Sequence, residues 1–431
     1  LEHGKHGRNA GGTRLRQYFF LVGPGFFLLT LLRPEKGIGL LPLQFLLKEN
    51  LRFTPLDMAT FFSIAGIAWY FKPLAGWFSD HFPILGSRRH AYMMLASTCA
   101  AALWLAIGWG PRARYPLLAA VTACTAMIMI CQATLSGLVV EGGRQFAATG
   151  RLSSVRRVAE FVSALLVGPL AGWLARRPLQ LTGTLGAMLA VLLAIAAIRY
   201  RTEVGVAPPT SSWPKLRASF RTMARSKPMW IAATLFFLLA LSPGFQTPLF
   251  YYKTNTLHFS PQFIGTLALV NAIFSVIASA AYAWICSRFS LRTLMTVGVI
   301  SDAIGQGLYI FYASPNSALV VEAVAGLMRG FVWMPILDLL IRAVPAGDEA
   351  AGAALEWTPA NIAVAISDLS GSWLYQKYGL SFKNLAWLNS GATLLILLLV
   401  PLIPSSATAI REGQPVSDDS THHSGATPLL Y

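Results

Sequence analysis

KPLAGWFSDHFPILGSRRHAY, running from Lys72 to Tyr92, is a short polar stretch between two long apolar segments, and its reading decides the fold. Lys72 and Pro73 stand near the end of the first segment, and Gly76 leaves room for a close helix neighbour. Asp80 and the pair Arg88 and Arg89 bracket a turn that carries Pro83 and Gly86. A carboxylate at one helix end and an arginine pair at the next can bridge the two ends. Arginines in so short a loop also mark it as cytoplasmic, because basic loops are retained on that side of a membrane. The stretch predicts a tight hairpin between two membrane helices, and it orients everything else.

Composition agrees. At 431 residues, with 55% hydrophobic and 12% charged residues and a mean hydropathy of +0.55, the chain is too apolar for a soluble protein of its size and is expected to cross a lipid bilayer many times. A net charge of +16 would suggest nucleic acid in a soluble chain. Here roughly 19 of the 34 lysines and arginines fall in segments expected to be cytoplasmic, so orientation explains the excess and no nucleic-acid partner is expected. Cys99, Cys124, Cys131 and Cys286 all lie in apolar segments without metal-ligand spacing and read as packing residues. The first apolar run is followed by charges rather than a small-residue cleavage site, so the first helix is expected to serve as its own targeting signal.

Residues 1–17 are polar, basic and glycine-containing, as in a disordered cytoplasmic arm. Tyr18 to Leu32 is too short to cross a bilayer, as is Gly37 to Leu47, and joining them into one tilted span places Arg33, Glu35 and Lys36 at its middle. Pro34 predicts a break or kink there. Spans follow near 56–80, 91–110, 115–141, 153–176 and 178–198, completing a first bundle over 18–198. Residues 199–228 interrupt the pattern with VAPPTSSWP and then KLRASFRTMARSK, whose basic residues alternate with Trp213, Leu216, Phe220 and Met223. That is the pattern of a cytoplasmic linker with an amphipathic helix on the leaflet. Six further spans near 229–251, 261–286, 293–313, 316–342, 351–375 and 384–403 form a second bundle over 229–403, and 404–431 is a polar cytoplasmic tail. The expected fold is all-α, with twelve transmembrane helices in two six-helix bundles. YAWICSRFSLRTLMT from Tyr282 echoes AGWFSDHFPILGSRRHAYMM after the second span of its half, as in parallel six-helix repeats around a midplane cavity.

Charged side chains inside spans cost about 2.5 to 3.5 kcal/mol each by insertion scales, so they must face a cavity or a partner. Arg33, Glu35 and Lys36 give the first span an anion-binding edge with a titratable neighbour, or an internal ion pair. Arg156 and Arg157 sit within a turn of Glu160 in the fifth span, where GPLAG at 168–172 suits close helix packing. Glu322 and Arg329, seven apart, share one face of the tenth span. Asp302, Glu356 and Asp368 could pair with them or cap backbone groups. Gln132, Gln246, Asn271 and Asn361, with Tyr251 and Tyr252, supply amides and rings that suit a flat heterocycle or serve as helix contacts and interface anchors.

The wording K-P-x2-G-x3-D-x2-P-x2-G-x-R-R-x2-Y resembles the loop between helices 2 and 3 of the major facilitator superfamily, and more narrowly the folate-biopterin transporter family. A second likeness lies in AVPAGDEAAGAALEWTPANIAVAISDLSGSWL, which is similar to that family's P-x-G-x-E segment followed by an Asn and a D-x2-G, here Pro345, Gly347, Glu349, Asn361, Asp368 and Gly371. The likeness extends from KGIGLLPLQFLLKENLRFTP to the last span. It implies the major facilitator fold, alternating access and uptake of a folate, pterin or related organic anion, with protons as the driving ion. The chain departs from the family in the fourth span, where CQATLSGLVVEGGRQ keeps Glu141 and Arg144 but has Gln132 and Ser136 near the family's two aspartates. Neither of those can carry a proton near neutral pH.

The sequence therefore predicts a secondary transporter without cofactor or metal, acting as a monomer in the cell (inner) membrane with both termini cytoplasmic. Arg33, Lys36, Gln132, Gln246, Arg329 and Asn361 are expected to bind substrate, Glu35 and Glu322 to carry protons, and Asp80, Arg88 and Arg89 to gate. The alternative is a non-transporting membrane protein of the same fold, such as a receptor or pigment-assembly factor. An enzyme is not expected, since the chain has no nucleotide loop, no G-x-S-x-G and no metal spacing.

Overall fold

The computed structural model describes residues 3–82, 84, 87, 89–146, 148–200, 221, 225–286, 288–343 and 349–402. Apart from one isolated bridge, between Ile84 and Ser87, the regular structure of these residues is helical. In the first half α1 is His3–Leu31, α2 Leu40–Phe45, α3 Pro55–Ala65, α4 Lys72–His81, α5 His90–Trp109, α6 Arg114–Gln145, α7 Thr149–Leu174 and α8 Leu179–Arg199. In the second, α9 is Lys227–Leu241, α10 Gln246–Tyr251, α11 Pro261–Ile285, α12 Leu291–Gly307, α13 Pro315–Ala343, α14 Glu349–Lys377 and α15 Phe382–Leu395.

Among the described residues, 8 helices are long and apolar enough to cross a membrane by length and composition. The other four expected crossings, in the stretches 18–50, 55–81, 349–377 and 382–402, are helical too but interrupted or less apolar, so a count of twelve rests on joining their pieces. Helix starts follow local chemistry. Thr54 accepts from the Asp57 amide in a capping box ahead of Pro55, and Ser260, Ser290 and Ser381 each accept from an amide three residues on. One departure concerns the N-terminus: α1 begins at His3, inside the stretch expected to be a disordered arm. Nothing in the structure explains a helix through Gly4, Gly7, Gly11 and Gly12, since each glycine costs about 1 kcal/mol relative to alanine. Most of the linker's amphipathic stretch, with Trp213, Leu216, Phe220 and Met223, and the tail lie outside the described residues.

The hairpin expected between the second and third spans is present. Ile84 and Ser87 exchange two backbone hydrogen bonds of 3.0 Å, and Tyr92 Oη donates to the Phe82 carbonyl at 2.7 Å. At the opposite end the two halves meet. There α7 packs on α11 and α3 packs on α14, the Leu56 amide donates to Gln376 Oε1 at 3.1 Å, and the Tyr251 hydroxyl donates to the Phe53 carbonyl. The backbones of α7 and α11 touch at Gly168 and Gly265, where a Cβ on either residue would overlap the other's carbonyl oxygen. This gives the GPLAG stretch its packing role.

Candidate functional site

Two broken helices organise the interior. Pro34 has no amide hydrogen and disfavours a helical residue before it, so α1 stops at Leu31 and the chain turns through Gly37 before α2 resumes. The turn satisfies its own backbone: the Gly37 amide donates to the Arg33 carbonyl at 2.6 Å and the Ile38 amide to the Leu31 carbonyl at 3.0 Å. From Tyr18 the break lies roughly 20 Å along the helix, about two thirds of the way through a bilayer core of about 30 Å. In the second half α9 stops at Leu241 and α10 starts at Gln246, with Pro243 and Gly244 between them.

The halves repeat each other here more closely than at the loop echo read from the sequence. The features from Leu40 to Pro55 recur 206 residues later. Leu40–Phe45 becomes Gln246–Tyr251, the π-helical turn Leu46–Asn50 becomes Tyr252–Thr256, and Pro55 becomes Pro261 as the start of the next helix. Arg52 and His258, each with positive φ near 50° (52° and 51°), occupy the same place. Paired discontinuous helices at matching positions in two repeats are where transporters of this construction build substrate sites.

At the first break Glu35 is buried among donors. Arg33 Nε donates to its Oε1 at 2.9 Å, Trp69 Nε1 donates to the same oxygen at 2.9 Å, and the Thr125 hydroxyl lies 3.3 Å from Oε2. The Arg33 guanidinium also lies 4.1 Å from the Trp69 ring centroid, a cation–π contact. Trp69 thus holds Arg33 and Glu35 together. Lys36, the next residue, is exposed.

A second buried cluster fills the second half. Lys253 Nζ lies 2.9 Å from Glu322 Oε1, and both side chains are buried. Asn271 Nδ2 and the Tyr309 hydroxyl each donate to Oε2 at 3.0 Å, and the Tyr312 hydroxyl donates to Oε1 at 3.2 Å. A carboxylate with four donors, one of them a cation, is the fully satisfied form a buried charge requires. Glu322 is therefore turned toward Lys253 and Asn271, and it makes no ion pair with Arg329.

Other expected site residues remain without partners. Among the described residues, the Lys36 ammonium, the Arg329 guanidinium and the side-chain amides of Gln132, Gln246 and Asn361 make no hydrogen bond or ion pair, and all five side chains are partly or fully exposed. Unpaired polar groups on interior helices of a membrane protein are costly unless they face water or a ligand.

The sequence profile of the BT1 family matches residues 35–422, most of the chain. The chain belongs to the BT1 family. A folate-biopterin transporter of Synechocystis sp. is 27% identical over 89% of this chain and 82% of its own length. Folate transporter 1 of Plasmodium falciparum is 23% identical over 94% of this chain and 82% of its own. Among solved structures, the nucleoside transporter NupG superposes with a TM-score of 0.67 at 14% identity, over 90% of this chain and 98% of that one. A D-xylose-proton symporter superposes with a TM-score of 0.66 at 13% identity, over 90% and 97%. At such identities these likenesses carry the fold alone, and the fold is that of the major facilitator superfamily. This BT1-family chain is a multi-pass membrane protein.

Of the expected gating residues in this BT1-family chain, Arg89 is paired with Glu141 at the end of α6. Arg88 and the side chain of Asp80 lie outside the described residues, as do those of Glu349 and Glu356. Both arginines of the fifth span reach Glu160, Arg156 at 2.9 Å and Arg157 at 3.4 Å. Tyr252 stacks on Phe382 with ring centroids 4.9 Å apart, and the Tyr251 hydroxyl serves the end closure, so both rings have structural employment. Sequence reasoning missed Trp69, Thr125, Lys253, Tyr309 and Tyr312.

Proposed function

We propose that this chain is a secondary transporter that moves folate, a pterin or a related flat organic anion by alternating access, coupled to protons. One observation carries the reading: two helix breaks at matching positions, with Lys36 at the first and Gln246 at the second making no hydrogen bond or ion pair among the described residues. Lys36 and Arg329 bind substrate carboxylates, with Arg33 released from Glu35 to join them. Gln132, Gln246 and Asn361 hydrogen-bond the edges of the heterocycle. Glu35 takes a proton when Arg33 turns to the substrate, since a buried carboxylate that loses its cation needs one. Glu322, saturated by its four donors, acts as an ionised strut. The names of the BT1-family relatives support a folate or pterin substrate, and the loop charges support a cell-membrane location with cytoplasmic termini. In this orientation the end closed by Tyr251 and Phe53 faces outward and the Asp80 to Arg89 hairpin is the inner gate.

The test is a ligand panel on the purified protein. Folate and pterin are expected to raise its thermal unfolding temperature in a concentration-dependent way, while a nucleoside, a dipeptide and xylose leave it in place. A shift with the nucleoside or sugar and none with folate or pterin would assign a different substrate class.

A further inference from the structure

Asp368 lies within α14 and is read as a membrane-embedded carboxylate with no cation. Its Oδ1 accepts from the Thr247 amide at 2.9 Å and its Oδ2 from the Thr247 hydroxyl at 2.6 Å, and these are its hydrogen bonds. Among the described side chains, the charged groups named here on elements packed against α14 are engaged elsewhere or make no bond to it. Asp57 of α3 pairs with Arg114, Lys72 of α4 lies 5.8 Å from the Trp69 ring, and Glu322 of α13 pairs with Lys253. Arg329 of α13 and Lys383 of α15 make no ion pair with Asp368, and Tyr251 of α10 gives its hydroxyl to Phe53. Glu35, Glu160 and Glu322 each have an arginine or lysine partner. Asp302, another acid without an ion pair among the described residues, lies within electrostatic reach of Arg329.

A carboxylate in this setting is neutralised by a cation or by a proton, and among the described residues no cation pairs with Asp368. The geometry accommodates either state. An ionised Asp368 accepts both Thr247 bonds, whereas a protonated one keeps the amide bond and reverses the other, its own O–H donating to the Thr247 oxygen.

The surroundings give that proton a consequence. Thr247 and Tyr251 stand four apart on α10, on one face of the helix, and Tyr251 makes the hydrogen bond that joins the two halves at the closed end. Gln246, beside Thr247, is one of the unpartnered amides. The junction is built for tight contact: the Gly244 amide donates to the Ser367 carbonyl at 2.9 Å, and a Cβ on Gly371 would overlap the Gly244 carbonyl oxygen. Asn389 Nδ2 donates to the Pro243 carbonyl at 2.8 Å, so the backbone freed by the break is held by its neighbours. We propose that Asp368 is a proton-binding residue of the second half, and that its protonation changes the hold of α14 on α10 and so on the Tyr251 closure. The transport consequence rests on the function proposed above, whereas proton binding itself does not.

The test has two arms on the full chain. In the first, infrared difference spectra of the purified protein between neutral and acidic pH are compared for the parent, Asp368→Asn and Asp302→Asn. The protonated-carboxyl C=O band is expected to lose amplitude in Asp368→Asn relative to both others, and equal amplitude in all three overturns the proposal. In the second, proteoliposomes are loaded for folate uptake. Asp368→Asn is expected to lose at least tenfold in pH-driven accumulation and less than threefold in counterflow. Retained accumulation, or equal loss of both, overturns the coupling role. A parent that moves no folate sinks the transport reading instead, and the infrared arm then decides Asp368 alone. Should Asp368→Asn fail to fold, Thr247→Val keeps the acid and removes its hydroxyl donor. The pH at which the band forms is then expected to move, and an unmoved pH overturns the proposal.

Discussion

Lys253→Met is expected to destabilise the protein by about 3 to 5 kcal/mol, the cost of breaking a buried ion pair and leaving its partner charged. Glu322 would retain three neutral donors, Asn271, Tyr309 and Tyr312, but no cation, in a cluster that is buried on both sides of the pair. Glu322→Gln alone strands the ammonium of Lys253 and is expected to cost a similar amount. The double variant Lys253→Met with Glu322→Gln removes both charges and is expected to recover most of the loss, because a neutral amide can still accept from the tyrosines. Unfolding titrations of the three purified variants measure this as a double-mutant cycle. Additive losses would mean that the two residues act separately and that the 2.9 Å contact contributes nothing.

Lys36→Ala and Arg329→Ala are each expected to weaken folate binding by about 1.5 to 3 kcal/mol, the range for hydrogen bonds to charged groups. That corresponds to roughly 10- to 150-fold in Kd. Fold stability should hardly change in Lys36→Ala, because Lys36 makes no ion pair whose loss would strand a charge, whereas Arg329→Ala also takes away the cation within electrostatic reach of the buried Asp302 and is expected to lose some stability. Arg33→Ala is different in kind. It removes the ion partner of a buried Glu35 as well as a ligand group, so its affinity loss is expected to come with lost stability. Calorimetric titration with unfolding measured alongside separates the two classes. Unchanged affinity in both Lys36→Ala and Arg329→Ala would remove these cations from the site.

Much of this arrangement was legible in the residues. Apart from α1, which starts at His3 instead of near Tyr18, the helical spans fall within a few residues of their expected limits, because long apolar runs separated by short charged loops leave little freedom in a bilayer. Arg33, Glu35 and Lys36 drew notice because a charge inside an apolar run is costly, and Pro34 among them announced the break. Lys253 escaped by the same logic. The apolar run ends near residue 251, which assigned Lys253 to a loop, whereas the π-helical turn carries the helix on to Thr256. Trp69 and Thr125 had no signal, since an indole or hydroxyl in a membrane helix carries none of the cost that makes a charge conspicuous. Helical periodicity placed Glu322 and Arg329 on one face but could not choose the partner, which three other segments supply. The duplication was present as P-L-x7-L-x-F-[ST]-P, at Pro42 to Pro55 and again at Pro248 to Pro261, and it was hidden by divergence at the positions between. Which amides lack partners is a property of packing, and no sequence pattern encodes it.

Counterflow of labelled folate in proteoliposomes made with the purified chain tests the central claim most directly. Vesicles preloaded with unlabelled folate or pterin are expected to take up labelled folate transiently above its equilibrium level, and those containing the Lys36→Ala, Arg329→Ala double variant are expected to lose at least tenfold of that rate. Uptake indistinguishable from protein-free vesicles, in protein that is folded and correctly inserted, would contradict transport of this substrate class and favour a membrane protein of the same fold that does not transport it.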